Sequence, residues 1–268
     1  MIRLRPSSAF AVTLCVLMLS TSLAGCLEGR EKASPVNLNV SLDSTTGEVV
    51  DARLADNSSD TANSHGATFT WDFSETFSGS GSMDTYWLEA GDGDRVEVSA
   101  SDDDLISYTY GSHGVYRAVA GANDSAGNSQ SQSFMLFVDE SGYLNETGQS
   151  ATTDPEIFWV DTTPGQGATE YTNEVDTVKR FSIQSTVRNP PNAFGFLEED
   201  VTVTWTLFDA NGDEVTSHSS QPLGADDEAS WSFDSPSAPM RGGWSLEIPI
   251  DANENIEVWN EAHLYHTN

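Results

Sequence analysis

Apolar and polar residues alternate along most of this chain with the period of two that is typical of β-strands. Two segments have an apolar residue at every second position: Ala67, Phe69, Trp71 and Phe73 in one, and Val201, Val203, Trp205 and Leu207 in the other. Turn-forming pairs such as Asn211-Gly212 follow such segments and predict hairpins. Beyond the first 26 residues, no stretch has a helical period of convincing length. The pattern therefore predicts an all-β protein.

The spacing of strands and turns predicts two β-sandwich domains. Residues 36–140 form the first and residues 155–268 form the second, which we interpret as a sandwich or a jelly roll. Between them, residues 141–154 lack apolar periodicity and are rich in Ser, Thr, Gly and Asn. We expect this segment to be an interdomain linker that ends at Pro155.

The first 26 residues have the organisation of an export signal. Arg3 and Arg5 precede an apolar run over residues 9–19, which is too short for a comfortable membrane span of about 20 residues. The sequence Leu23-Ala24-Gly25-Cys26 follows, and it resembles the lipobox of bacterial and archaeal lipoproteins. The resemblance implies a signal peptide over residues 1–25 and a lipid on the thiol of Cys26. The alternatives are a plain secretory signal and an uncleaved anchor.

Cysteine usage agrees with a lipid anchor. The chain has two cysteines, and Cys15 would leave with the signal, so Cys26 would be alone in the mature protein. No disulfide within the mature chain is then possible, although an exported protein could form one. We expect residues 26–35 to be a polar tether. The predicted location is the extracytoplasmic face of a cell membrane, with the membrane as partner through the lipid.

The charge balance excludes some partners. The formal net charge is −31, and the loss of Arg3 and Arg5 with the signal would lower it by two. Such a surface repels nucleic acids and anionic lipid headgroups, so neither is an expected partner. Strong acidity with two lysines favours a halophilic, archaeal source, because salt screens the self-repulsion. Binding of divalent cations is the alternative explanation.

The first domain resembles the PKD domain, an immunoglobulin-like sandwich of surface proteins. The matching segments are Asp56-Asn57-Ser58-Ser59-Asp60, the strand 67–73, Tyr108-Thr109-Tyr110, Gly114-Val115-Tyr116 and Asp124-Ser125-Ala126-Gly127. The strand from Tyr116 carries three alanines where the family has larger residues, and an inserted hairpin is predicted over residues 86–98. The resemblance implies adhesion, spacing or display and does not imply catalysis.

No motif in the sequence predicts an enzyme. The chain lacks a Gly-x-Ser-x-Gly elbow, a His-Glu-x-x-His pair and a phosphate-binding loop. His65 and His113 lie in turn-rich stretches and are expected to be solvated. His263 and His266 are three residues apart, so on a strand they would point to opposite faces and could not share a ligand. We therefore predict a protein without a catalytic site.

Calcium is the one cofactor for which the sequence offers a weak candidate. Asp209, Asn211 and Asp213 place oxygen ligands at alternate positions, as a calcium loop does. The alternative is a simple hairpin turn, since the loop lacks the glycine and the glutamate of an EF-hand.

The tryptophans divide into core residues and candidate contact residues. Trp205, Trp231 and Trp244 lie on apolar faces and are expected in the core. Trp87 and Trp259 lack such a register and are candidate ligand contacts. The predicted function is that of a lipid-anchored surface protein in adhesion, structure or display, with a surface protein or a glycan as the possible partner. The alternative is a carbohydrate- or ligand-binding module.

Overall fold

The structure is a computed structural model, and it describes residues 35–54, 64–150, 156–163, 178–191, 200–251 and 255–267. The predicted signal peptide, Cys26 and the tether up to residue 34 lie outside the described residues, as do residues 56–60, which the PKD resemblance includes. From Val36 to Asn268 the chain forms one compact unit. The described residues contain no helix with the length and hydropathy needed to cross a membrane.

The regular secondary structure of the described residues consists of β-strands, which confirms the all-β prediction. The strands are β1 (Val36–Asn37), β2 (Ser41–Leu42), β3 (Thr46–Leu54), β4 (Ala67–Asp72), β5 (Phe77–Ser78), β6 (Met83–Glu89), β7 (Arg95–Ser99), β8 (Leu105–Tyr110), β9 (Gly114–Asp124), β10 (Ser129–Ser150), β11 (Glu156–Asp161), β12 (Arg180–Arg188), β13 (Thr202–Phe208), β14 (Glu214–Ser219), β15 (Glu228–Asp234), β16 (Gly243–Ile248), β17 (Ile250–Asp251) and β18 (Asn255–Tyr265).

One large sheet, two smaller sheets and a short two-stranded pair make up the described part of the chain. The large sheet has eight strands. Seven of them form the chain of pairings β15-β12-β18-β10-β9-β6-β7, and β3 pairs in parallel with β10. A three-stranded sheet has the order β2-β4-β8. A five-stranded sheet has the order β11-β16-β13-β14, with β17 beside β13. A short pair, β1-β5, completes the first half of the chain.

Strand β10, which is 22 residues long, connects the two halves. Its residues 137–145 pair with β3, its residues 129–138 pair with β9 and its residues 140–150 pair with β18. Because a strand has two edges, the shared residues place β3 on one edge and both β9 and β18 on the other. The start of β9 and the end of β18 therefore meet beside the middle of β10.

Both smaller sheets cover the same face of the large sheet. On β10, Leu136 and Val138 belong to the core of the first half, and Leu144 packs against the core of the second half. These positions are separated by even numbers of residues, so they share a face. The result is two sandwiches side by side on one continuous sheet, which confirms the sandwich architecture.

The core of the first sandwich combines large aromatic residues with small ones. Phe69 and Trp71 of β4 are fully buried. They belong to the same cluster as three fully buried alanines of β9, which are Ala118, Ala120 and Ala122. The small side chains leave room for the aromatic rings, and this is the physical reason for the alanines that depart from the PKD pattern.

The core of the second sandwich consists mainly of branched aliphatic residues and tryptophan. Trp205 is fully buried, and its Nε1 donates a hydrogen bond of 2.8 Å to Ser185 Oγ. Trp231 and Trp244 are also buried, so the expectation of core packing is confirmed for all three. Val203, Leu207 and Leu246 fill the space around them.

Local predictions in the first sandwich are confirmed as well. The inserted hairpin is formed by β6 and β7. The turn Asp124–Gly127 ends β9, with Gly127 at a φ of 83°. The Asp124 carboxylate accepts hydrogen bonds from Ser78 Oγ at 2.6 Å and Ser80 Oγ at 2.7 Å, which lower the pKa of its carboxyl group. Its Oδ1 also accepts hydrogen bonds from the backbone N–H groups of Ala126 at 3.0 Å and Asn128 at 2.8 Å, so this aspartate fixes the turn.

The expected linker is corrected by the structure. Residues 141–150 of the segment 141–154 belong to β10 and pair with β18, whereas residues 151–154 lie outside the described residues. Residues 141–145 pair on both edges, so their backbone groups are hydrogen bonded within the sheet and their side chains can be polar. The Ser, Gly and Asn residues of positions 141–150 therefore lie in a strand and not in a loop.

Candidate functional site

Along β10, the core-facing positions stop being apolar between the two cores. Its core-facing positions after Val138 are Glu140 and Gly142, before Leu144 restores the apolar pattern. Glu140 is directly paired with Val49 of β3 and Leu264 of β18, which are both buried. A carboxylate therefore occupies a position between apolar neighbours, at the place where one covering sheet ends and the other begins.

Open space lies over this part of the sheet. Gly142 pairs with Asp51 of β3, so Asp51 shares the core-facing side. A Cβ atom built on Gly142 would meet no atom within 4 Å. The gap between the two covering sheets therefore reaches down to the backbone of β10.

Two cavities occupy the gap, and Asp51, Glu140 and Asp161 line both. The larger cavity has a volume of about 500 Å³, with His65 and His113 in its wall. The smaller cavity has a volume of about 230 Å³. Its other side chains are mainly apolar or aromatic: Tyr143, Leu144, Phe158, Trp159, Val160, Ala262 and Leu264. We call the two cavities together the junction cleft.

A buried histidine pair lies at one end of the junction cleft. His113 precedes β9 and His266 follows β18, and their exposed fractions are 4% and 2%. His113 Nδ1 lies 3.0 Å from His266 Nε2, and the two rings stack. His113 Nε2 donates to the carbonyl oxygen of Asp161 at 3.2 Å, so in the neutral ring Nδ1 accepts from His266 Nε2.

The charge of His113 is controlled by its burial. Burial is the largest influence and lowers the pKa of the imidazole below its ordinary value, against a smaller opposing effect of the Asp161 carbonyl group. The Glu140 carboxylate is 3.6 Å from His113 Nε2. Because the ring is neutral at neutral pH, it does not compensate the carboxylate charges of the junction cleft.

The expectation of a solvated His113 is wrong. His113 and His266 are 153 residues apart in sequence, and the two strands that end beside β10 bring them together. His65, in contrast, is exposed, as expected.

The opposite face of the sheet carries a polar network around His263. His263 Nε2 donates to Glu261 at 2.6 Å, and its Nδ1 is 2.7 Å from Ser141 Oγ, which donates to Glu48. Ser141 is 0% exposed, so a substrate could not reach its hydroxyl group. The network binds three neighbouring strands together and offers no nucleophile.

Neither candidate contact tryptophan lies in the junction cleft. Trp87 is half-buried on β6, where the Arg95 guanidinium lies 4.5 Å from its ring centroid. Trp259 is half-buried on β18, on the face opposite the core. Their role in ligand contact stays a prediction. The exposed tryptophan of the cleft is Trp159 of β11, with 61% of its surface accessible.

The calcium candidate forms a hairpin turn between β13 and β14. Asp209 Oδ1 accepts hydrogen bonds from the backbone N–H groups of Asn211 at 2.8 Å and Asp213 at 3.0 Å. Gly212 takes a φ of 83° at the tip. Within the described residues, no group of three or more His, Cys, Asp or Glu side chains is arranged to hold a metal ion. The two hydrogen bonds and the positive φ of Gly212 are those of a hairpin turn, and they account for the conformation of this loop.

Comparisons with known proteins concern the fold. No family model matches the chain, and no curated protein matches it. Among solved structures, the chain is similar to a carbohydrate-binding module of the β-sandwich superfamily, with 13% identity, coverage of 85% of this chain and 97% of that chain, and a TM-score of 0.31.

Two further solved structures are sandwich modules. The PKD1 domain of Vibrio anguillarum Epp has 13% identity, coverage of 40% of this chain and 96% of that chain, and a TM-score of 0.27. The fibronectin(III)-like modules of Clostridium thermocellum CbhA have 11% identity, coverage of 76% and 91%, and a TM-score of 0.27. All three TM-scores are below 0.5, so these likenesses carry no argument about this chain.

Proposed function

We propose that the chain is a lipid-anchored protein of the extracytoplasmic face, in which the two sandwiches act as one rigid body for adhesion, envelope structure or display. The observation that supports a structural role is the continuity of β10 through both sandwiches. A strand that is hydrogen bonded on both edges resists bending far more than a polar linker does. The lipid on Cys26 would hold this body at the membrane.

Membrane fractionation of the full-length chain tests the anchor. Cys26→Ser removes the thiol that would carry the lipid, so the variant should move to the soluble fraction. Cys15→Ser is the matched control, because it changes the other cysteine and leaves the lipobox intact. Retention of the Cys26→Ser protein in the membrane fraction would contradict the anchor.

A second candidate function, a ligand-binding module, is favoured by the junction cleft. Cavities that combine apolar walls with a few polar groups are typical of ligand sites. Small ligands should raise the melting temperature of the full-length chain, because they bind the folded state alone. Gly142→Leu places a side chain in the open space and should abolish the effect. A ligand that stabilises both proteins equally binds elsewhere and would contradict the assignment.

A further inference from the structure

We propose that Asn39 is a modification site, at which the exported protein carries an N-linked oligosaccharide. The inference rests on the proposed extracytoplasmic location, because N-linked sugars of this kind are added to chains that leave the cytoplasm. It adds a covalent modification that neither the lipid anchor nor the junction cleft requires.

The sequence offers several acceptor sites. Four segments have the pattern Asn-x-Ser/Thr with a residue other than proline in the middle, which is the sequon for an N-linked sugar. They begin at Asn39, Asn57, Asn123 and Asn145. So short a pattern also arises by chance in a chain rich in Ser and Thr, and the sequence alone does not choose among the four. Asn57 lies outside the described residues, and the fold separates the other three.

The sequon that begins at Asn39 lies at the surface, near the edge of a sheet. Asn39 is exposed between β1 and β2, in a stretch without regular secondary structure. Ser41, which completes the sequon, is exposed at the first position of β2. Strand β2 is at one end of the sheet order β2-β4-β8. Both side chains that a glycosyltransferase must recognise are therefore accessible in the folded protein.

The other two described sequons begin within the large sheet. Asn123 is half-buried on β9, where it pairs with both β6 and β10. Asn145 lies on β10 and pairs with both β3 and β18. An enzyme that binds the acceptor segment as an open peptide would first have to break these hydrogen-bonded ladders on both sides. The fold therefore favours Asn39 as the acceptor.

Hydrogen bonds hold the backbone of Asn39 and leave its amide group at the surface. The backbone N–H of Asn39 donates to Thr76 Oγ1 at 3.1 Å, and Thr76 Oγ1 donates to the Asn39 carbonyl oxygen at 2.9 Å. Nδ2 of Asn39 donates to Glu75 Oε2 at 2.7 Å, and both of these residues are exposed. The nitrogen that would carry the sugar is therefore in contact with a surface carboxylate and not with the core.

The group transfer is compatible with this local structure. Nδ2 of Asn39 forms a bond to the anomeric carbon of an oligosaccharide that is linked through phosphate to a lipid carrier. The bond from that carbon to the phosphate oxygen breaks, the lipid phosphate leaves with the electron pair, and Nδ2 releases one proton. One hydrogen stays on Nδ2, so the hydrogen bond to Glu75 can be kept. The sugar adds a bulky polar group to the surface of the first sandwich.

Mass spectrometry of tryptic peptides tests the inference on the full-length chain, purified from the cells that naturally produce it. Trypsin releases residues 33–53, which contain Asn39 as their only sequon, and residues 118–179, which contain Asn123 and Asn145. We expect the first peptide to carry the added mass of an oligosaccharide and the second to be unmodified. An unmodified first peptide, with or without sugar on the second, would overturn the inference.

A matched pair of substitutions identifies the sequon. Ser41→Ala keeps Asn39 and removes the hydroxyl group of the sequon, so the added mass on residues 33–53 should be lost. Ser41→Thr keeps a hydroxyl group and should keep the added mass. Asn123→Gln is the control outside the site and should leave residues 33–53 modified. Melting curves show whether each variant is folded. Retention of the added mass in a folded Ser41→Ala would overturn the assignment.

Membrane fractionation separates failure of this inference from failure of the function on which it rests. Membrane-bound protein whose residues 33–53 are unmodified would overturn the glycosylation and leave the anchor in place. Protein that is modified on residues 33–53 and remains in the soluble fraction would support the glycosylation and contradict the anchor.

Discussion

The two cores and the junction between them lie on the same face of one sheet, yet they hold different residues. Within the cores, the inward positions of β10 are apolar, as Leu136 and Leu144 show, and each is packed against a covering sheet. At the junction, the inward positions are Glu140 and Gly142, and open space lies above them. The comparison shows that alternation determines which face a residue points to. Whether a residue on that face is buried from solvent depends on whether a second sheet covers it.

The backbone explains why the junction tolerates charge. Residues 140–145 of β10 pair with β3 on one edge and β18 on the other, so the backbone of β10 is hydrogen bonded at the junction without a covering core. The side chains are then free to be polar, and the gap between the covering sheets becomes a cleft. The cores supply most of the stability, and the junction is where we propose that a ligand binds.

Truncation of buried residues should give the largest effects in this comparison. Phe69→Ala in the first core and Leu246→Ala in the second remove fully buried side chains. Phe69→Ala should lower the free energy of unfolding by about 3–5 kcal/mol, and Leu246→Ala should lower it by about 2–5 kcal/mol. Leu105→Ala is the control, since Leu105 is 43% exposed, and it should change stability by less than about 0.5 kcal/mol.

The same variants test whether β10 couples the cores. Urea unfolding should show one transition for each variant, with the midpoint shifted for the whole body. Two separated transitions, one of which keeps the wild-type midpoint, would mean that the two sandwiches unfold independently.

The pH dependence of stability should give a smaller effect, located at the junction. Because burial lowers the pKa of His113, the unfolded chain takes up a proton before the folded protein does as the pH falls. The contribution is present in full above the ordinary histidine pKa of about 6.5 and is lost as the pH falls through it toward the lowered value. The slope from one group is at most about 1.4 kcal/mol per pH unit.

Denaturant titrations at pH 7.5 and pH 5.5 measure this slope. His113→Gln should lose stability less steeply than the wild type over this interval. His65→Gln, at an exposed histidine of the same cavity, is the control for a histidine substitution that removes no buried ring. Burial raises the pKa of the Asp139 carboxyl group, so its contribution has the opposite sign. Equal slopes in His113→Gln and the wild type would contradict the lowered pKa of His113.

Much of the fold is predictable from period-two alternation. The strand 67–72, the hairpin of β6 and β7 and the turn at Asn211-Gly212 all appear where the pattern indicates them. These features depend on residues close together in sequence. A local pattern contains enough information to specify them.

The cleft could not be predicted in the same way. His113 and His266 meet only because β9 and β18 end beside the same part of β10, a long-range consequence of the topology. One local signal was present, because the apolar face of Phe134, Leu136 and Val138 continues to Glu140. A carboxylate in register with a core face is a sign of a functional position or of the end of a core. The Ser-rich and Gly-rich composition of the residues that follow is typical of a loop, so the sequence alone does not show that Glu140 continues a strand.

Hydrogen–deuterium exchange of the backbone amides of residues 140–145 tests most directly whether β10 joins the two sandwiches. These residues pair with strands on both edges. Their amides should therefore exchange as slowly as those of β9 and β12, which lie within the same sheet. Exchange as fast as in an unstructured peptide of the same sequence would show that the segment is a linker, and it would contradict both the rigid body and the cleft built upon it.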